Sequence, residues 1–220
     1  PIAGPDQPAF SNFVDPSIPE IIEIQRFSDW EPTVNTVPAQ RGEVLRAIAA
    51  AALTNRINEL SRAADSPTLG GQVAEQPVFR SAESYGLLVV AKDGQWRETL
   101  ALAEQELRRA RQYGFASAEI EEAKANIETA LSNAVAQADG RSSAALAEGL
   151  VAASLSETVP TSPEADLAFY RAIEPGITAE TVSEAFKQAW ADGPTLIHVS
   201  TKQPIEGGVT TIAAALEGSA

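Results

Sequence analysis

From residue 95 to residue 190 the sequence runs through successive helical-period segments broken only by short turns, and every run with strand character lies outside that block. This order limits the fold more than any other feature. The strand runs are "EIIEIQRF" (20–27), "QVAEQPVF" (72–79), "SYGLLVVAK" (84–92) and "PTLIHVST" (194–201). In the first, Ile22, Ile24 and Arg26 fall on one side and Ile21, Glu23 and Gln25 on the other, the period-2 alternation of a strand. The middle two are joined by a short polar link, so they pair antiparallel. Pro77 cannot donate to a ladder, which places its strand at an edge or at a bulge. The order strand, helix, strand, strand, then four or five helices, then strand predicts an α+β fold: a mostly antiparallel β-sheet with helices packed on one side.

The helices are legible from their stripes and ends. Over 42–63, Leu45, Ile48, Ala49, Ala52, Leu53, Ile57 and Leu60 form one wide apolar stripe, and the alanine-rich middle lets a neighbour approach closely. A helix over 95–112 buries Trp96, Leu100, Ala103 and Leu107, with Arg108, Arg109 and Arg111 in its last turn, where positive charge offsets exposed carbonyls. Gly114 follows as its C-terminal cap. The next helix opens with Ser117 as cap and Glu119, Glu121 and Glu122 in its first turn, buries Ile120, Ala123, Ile127, Leu131 and Ala134, and ends by Gly140. A helix over 142–156 presents Leu146, Leu150 and Leu155. Ser162 and Thr178 cap two more, the second burying Val182, Phe186 and Trp190.

The ends read differently. "PIAGPDQPAF" carries three prolines and a glycine in ten residues and is expected to be an extended lead-in without regular structure over 1–12. Residues 13–205 form one α+β domain. Residues 206–220 are a linker or tail, with the pair Gly207 and Gly208 as a hinge and an apolar segment that leads into, or packs on, something else.

Composition excludes several function classes. The 220 residues include no cysteine, so disulfides, thiolate zinc sites and cysteine nucleophiles are out. With no methionine at position 1 or elsewhere, the expectation is a processed chain or an excised domain. The net charge of -14 repels phosphate backbones and acidic lipid surfaces, which argues against nucleic-acid and membrane partners. No apolar run approaches the roughly 18 residues of a bilayer span, and no charged-then-apolar leader opens the chain.

No residue set carries chemistry. His198 is the only histidine. A zinc hydrolase site needs three protein ligands and an open position, and a Ser-His-Asp triad would need the same imidazole with a G-x-S-x-G elbow that is absent. His198 therefore reads as a sheet residue with a structural hydrogen bond. "LGGQ" and "EGGV" lack phosphate-loop spacing and are turns. Glu121 and Glu122 point to different parts of a helix surface. Trp30, Trp96 and Trp190 are scattered packing residues, and Arg56 and Lys124 are helix cations whose ion pairs are worth under about 1 kcal/mol if exposed. No catalytic, cofactor-binding or metal-ligating residue is assigned.

Four stretches nevertheless share a pattern. "GFASAEIEEAK" resembles the G-F-T-x-x-E-L-x-x-A-K stretch of pitrilysin/insulinase-type zinc peptidases, which include mitochondrial processing peptidase, through Gly114, Phe115, Glu119, Ile120, Ala123 and Lys124. "LTNRINELSR" resembles the family's L-x-N-R-L-x-E-L helix through Asn55, Arg56, Ile57, Glu59 and Leu60. "FVDPSIPEIIEIQ" resembles the segment that opens the second domain, with Asp15 and Pro16 before the first strand, and "IEPGITAETVSEAF" the late I-T-x-E-x-V helix start through Ile177, Thr178, Glu180 and Val182. The resemblance covers about residues 13 to 205 in order. Two departures stand out: Ala116 replaces the capping threonine, which removes the capping box, and Ser17 stands where glutamate often follows Asp-Pro.

The resemblance implies a metallopeptidase-like (LuxS/processing-peptidase-like) domain. Members cleave peptides with an inverted zinc motif, H-x-x-E-H, which this sequence lacks. What is implied is the second, non-catalytic domain of a bacterial zinc metalloendopeptidase, forming chamber wall and interdomain contacts around a peptide substrate. Zinc is expected in a catalytic domain or subunit of the parent protein, and the compartment implied is the periplasm. The alternative is a scaffold or assembly domain of a catalytically inactive member, like the core subunits of the cytochrome bc1 complex. An unrelated helical binding module is a third reading, which an absent sheet would support.

Overall fold

The computed structural model describes residues 8–30, 36–78, 81–156, 158–191 and 194–219. Its five strands are β1 (Ala9–Val14), β2 (Glu20–Asp29), β3 (Thr68–Val78), β4 (Ala82–Ala91) and β5 (Thr195–Thr201), in the spatial order β1-β5-β2-β4-β3. β1 runs parallel to β5, and the other three pairings are antiparallel. The described helices are α1 (Val37–Leu60), α2 (Trp96–Tyr113), α3 (Ser117–Ala136), α4 (Ser143–Ser156), α5 (Pro163–Ile173), α6 (Ala179–Ala189) and α7 (Val209–Glu217). This is the α+β arrangement that the segment order requires.

Alternation along β2 sets the two faces of the sheet. Glu20, Ile22, Ile24 and Arg26 are buried, while Ile21, Glu23 and Gln25 are half-buried on the opposite face. Ile48, Ala49, Ala52, Leu53 and Ile57 of α1 join Ile22, Leu87 and Val89 of the sheet in one core. Each fully buried Ile or Leu here contributes about 1.5–3 kcal/mol. The approach of helix to sheet is close: a Cβ on Gly71 would stand 2.6 Å from the Leu88 carbonyl oxygen and 3.0 Å from Ile57 Cγ2. Only glycine lets β3 lie there.

β3 is an edge strand, as Pro77 required. Two of its outward N–H groups do not face open solvent. Gly71 N–H donates to Asn58 Oδ1 at 3.0 Å and Val73 N–H to Thr54 Oγ1 at 2.9 Å, so α1 caps the margin of the sheet with its own side chains.

Several elements depart from the sequence reading. The lead-in expected to lack regular structure forms β1 from Ala9 onward, and residues 1–7 lie outside the described residues. Its pairing partner is β5, with Ser11 and His198 187 residues apart, so no local signal marks it as a strand. Asp15 and Pro16 consequently sit in the turn between β1 and β2, where Asp15 Oδ1 accepts from Ser17 N–H at 2.8 Å and Ser17 Oγ at 2.6 Å. α1 starts at Val37 rather than residue 42, because Thr36 caps it and Pro38 occupies the first turn, where a missing N–H costs nothing. α3 has Ala116 at its N-cap, not Ser117. Half of the capping box survives: Ala116 N–H donates to Glu119 Oε2 at 2.7 Å. The apolar stripe of α3 also leaves the core early, with Ile127 and Leu131 half-buried and Ala134 exposed. Leu60 is likewise exposed at the end of α1.

The apolar segment after Gly207 and Gly208 is α7, which packs against α2 and β1 of this same chain and places a fully buried Ile212 in the core. α4 behaves oppositely. Leu146, Leu150, Val151 and Leu155 are all exposed, and Ala153 is its one buried residue among those described.

Candidate functional site

His198 lies on β5 between core-facing Ile197 and Val199, so its ring emerges on the helix-free face of the sheet. Nδ1 is 2.7 Å from Ser11 Oγ and Nε2 is 3.1 Å from Ser200 Oγ. Both ring nitrogens are thus engaged by hydroxyls. Among the described residues no group of three His, Asp or Glu side chains is placed to hold a metal. The one imidazole is spent on neighbouring serines, and among the described residues no set of three ligands converges on it as a zinc site requires.

The motif stretches instead meet as a structural knot in the helix layer. Arg56 of α1 donates from Nε to Glu119 Oε1 at 2.8 Å and from Nη2 to Glu119 Oε2 at 3.0 Å. Its Nη1 stands 3.5 Å from Glu106 Oε2 of α2, and its guanidinium lies 5.3 Å from the ring centroid of Phe115. The Arg56 side chain is only 10% exposed, so it is not the solvent-exposed cation for which a sub-kilocalorie pair would apply. Burial pushes the Glu119 carboxyl up, but the hydrogen bonds from Arg56 and from Ala116 N–H outweigh it and hold the pKa below the usual carboxylate value.

The glycine before this pair is fixed by geometry. Gly114 has φ 72°, in the left-handed region, and a Cβ there would collide with Ser183 of α6. The Ser183 hydroxyl accepts from Phe115 N–H at 3.0 Å and donates to the Ala179 carbonyl at 2.6 Å. Phe115 then meets Phe186 edge to face, with centroids 5.3 Å apart. Lys124, ten residues on, is buried. Its Nζ pairs with Glu121 at 2.9 Å and with Glu174 of the "IEPG" stretch. Burial lowers the Lys124 pKa, but hydrogen bonds to Glu174 and Glu121 more than reverse that and raise it. Arg41 Nη2 closes the ring by donating to the Gly176 carbonyl at 2.8 Å. The motifs that carry the resemblance are therefore joints between α1, α2, α3 and α6.

A cleft of about 560 Å³ lies beside this knot, between α1, β3 and α6. Ala47, Ala50 and Ala51 form its floor, Phe186 and Trp190 its inner wall, and Arg46, Glu75 and Tyr85 its rim. Arg46 Nε reaches both oxygens of Glu75 at 3.2 and 2.9 Å, and Tyr85 Oη donates to Glu75 Oε1 at 2.7 Å. Burial and that hydrogen bond push the Tyr85 phenol well above its ordinary value. The Glu75 carboxylate accepts from Arg46 and Tyr85, and the Thr54 hydroxyl of the lining accepts from Val73 N–H, so these polar groups serve as structural hydrogen-bond partners around an otherwise apolar cleft. On the helix-free face a smaller hollow of about 150 Å³ is polar, with Glu23, Gln25, Gln72 and Gln76 among its lining.

No protein-family model matches the sequence, and no curated protein matches it. Solved structures do. The chain superposes on the periplasmic protease PqqL from Escherichia coli with TM-score 0.86 and 19% identity, covering 100% of this chain and 25% of that one. It superposes on a peptidase M16 inactive domain from Pseudomonas fluorescens with TM-score 0.64 and 13% identity, over 90% of this chain and 44% of that one. A chain of complex III2 from Candida albicans, Inz-5 bound, gives TM-score 0.61 and 16% identity, over 96% of this chain and 49% of that one. The chain thus spans a quarter to a half of the structures it resembles. With five strands and a one-sided helix layer held by the Arg56–Glu119 joint, the chain has the fold of the pitrilysin/insulinase-type (M16) peptidase domains.

Proposed function

We propose that this chain is a non-catalytic domain of a zinc-dependent metalloendopeptidase. In that reading it forms chamber wall and interdomain contacts around a peptide substrate, while a catalytic domain or subunit of the same peptidase family holds the zinc. The observation that carries the reading is the state of His198. In a fold shared with peptidase halves, the sole histidine has both nitrogens against Ser11 and Ser200. Likeness to PqqL supports a periplasmic setting. No helix among the described residues is long and apolar enough to cross a membrane.

The test is metal analysis and peptide hydrolysis on the isolated chain, beside the coding sequence on both sides of it. The expected outcome is no stoichiometric zinc, no hydrolysis and an H-x-x-E-H motif in the flanking sequence. One tight zinc per chain overturns the reading.

A second reading is supported by the likeness to a complex III2 chain: a scaffold or assembly domain of an inactive relative. It requires that the flanking sequence lack H-x-x-E-H and that the whole protein be inert toward peptides.

A further inference from the structure

The chain carries 16 Lys and Arg against 30 Asp and Glu, yet one cleft gathers four of those cations. It has a volume of about 650 Å³ and lies where the C-terminal ends of α2 and α6 meet the start of β5. Arg26, Arg108, Arg111 and Lys187 line it, with Glu104 as the one carboxylate among the lining residues. Cations in a last helical turn offset that turn's carbonyls, so the helix ends count against the charge. Each contributes about half a negative charge. Arg26 is buried and already engaged, so Arg108, Arg111 and Lys187 set against Glu104 and two helix ends leave about one positive charge. In a chain of net charge -14 that is a local reversal of sign.

The cations are not equivalent. Arg108 is engaged: it donates to the Ser219 carbonyl at 2.8 Å and pairs with Glu104 at 3.1 Å. Arg111 and Lys187 are exposed and enter no ion pair among the described residues. Behind them the wall is apolar, built from Leu107, Trp190, Ile197 and Leu216.

We propose that this cleft binds a short acidic peptide segment, its carboxylates on Arg111 and Lys187 and an adjacent apolar side chain against Trp190 and Leu216. A surplus of about one charge, presented by the exposed Arg111 and Lys187, suits a short segment with one or two carboxylates, and the rest of the acidic surface repels a long polyanion. The apolar wall selects against inorganic anions and nucleic-acid backbones, which have no apolar group to place there. The proposal stands on the cleft of this domain and holds whether or not the parent protein cleaves peptides.

The test titrates the chain with an end-capped tetrapeptide of alternating Leu and Glu, and with the same peptide carrying Gln for Glu. Calorimetry gives the affinity, and methyl NMR of Leu107, Ile197 and Leu216 reports the location. The Glu peptide is expected to bind more weakly as salt rises and to shift those methyl signals. Arg111→Gln and Lys187→Gln should each weaken it roughly threefold, and together about tenfold. Both residues are exposed, so unchanged melting temperatures accompany the loss. Arg171→Gln, which removes a cation paired with Glu128 on another surface, should leave affinity unchanged. Equal binding of the Gln peptide overturns the proposal, as does full affinity in the double variant.

Discussion

Arg56 and Glu119 are 63 residues apart in sequence and share a two-point contact, Nε to Oε1 at 2.8 Å and Nη2 to Oε2 at 3.0 Å, that ties α1 to the first turn of α3. The fork–fork geometry fixes the angle between the helices as well as their distance. Removing the arginine leaves Glu119 with Ala116 N–H and the nearby Glu106, whose side chain is 14% exposed, with Arg109 at 3.6 Å as the remaining partner. Arg56→Met should therefore cost about 2–4 kcal/mol, read as a lowered urea midpoint with unchanged slope. Glu119→Gln keeps the shape and should cost less.

The same pair sets an acid limit. Because the folded-state pKa of Glu119 lies below its ordinary value of 4.5, the stability it contributes is fully present above pH about 4.5 and is lost as pH falls through the lower, folded-state value. Stability measured from pH 7 to 3 should fall less steeply at its acid end in Glu119→Gln than in the parent chain. Parallel curves would show that the pair does not titrate with folding.

Gly114→Ala tests the knot from its other side. A positive φ costs an L-residue about 1 kcal/mol. The collision with Ser183 adds to that and pushes on the hydroxyl that holds Phe115 N–H. The expected loss is about 2–4 kcal/mol in a thermal or urea melt. A loss of only 1 kcal/mol would mean that α6 yields freely.

Ile212→Ala asks whether α7 belongs to the fold. Its side chain is fully buried in the common core, so truncation should cost about 2–4 kcal/mol and lower the single unfolding transition. If α7 were an independent appendage, the main transition would not move.

Leu150→Glu is the converse. Leu150 is 58% exposed on a helix whose large apolar residues all face out. Stability should change by no more than about 0.5 kcal/mol, while self-association at high concentration, followed by light scattering, should fall.

What the sequence made legible was local. Thr178 caps α6, and Val182, Phe186 and Trp190 are all buried, as a helical period and one capping side chain demand. The alternation of Ile22, Ile24 and Arg26 against Ile21, Glu23 and Gln25 holds along β2. β1 escaped because its evidence as a strand is a parallel partner at the far end of the chain, and prolines next to it read as loop. Lys124 escaped because nothing local shows that Glu174 waits 50 residues away to satisfy its amine, while its alkyl stem packs like an apolar residue. The arginines at the end of α2 were visible as partners of the helix dipole. Their convergence with Arg26 and Lys187 depends on three elements meeting, which no window of sequence contains.

Asn58 and Thr54 have a consequence beyond α1. By occupying the outward N–H groups of Gly71 and Val73, they close one border of the sheet to any incoming chain. Lateral growth through β3, whether by strand exchange between copies or by fibril seeding, would first have to strip two amides of their partners. Along that stretch of β3 the border of the sheet is already sealed by the helix that packs on it.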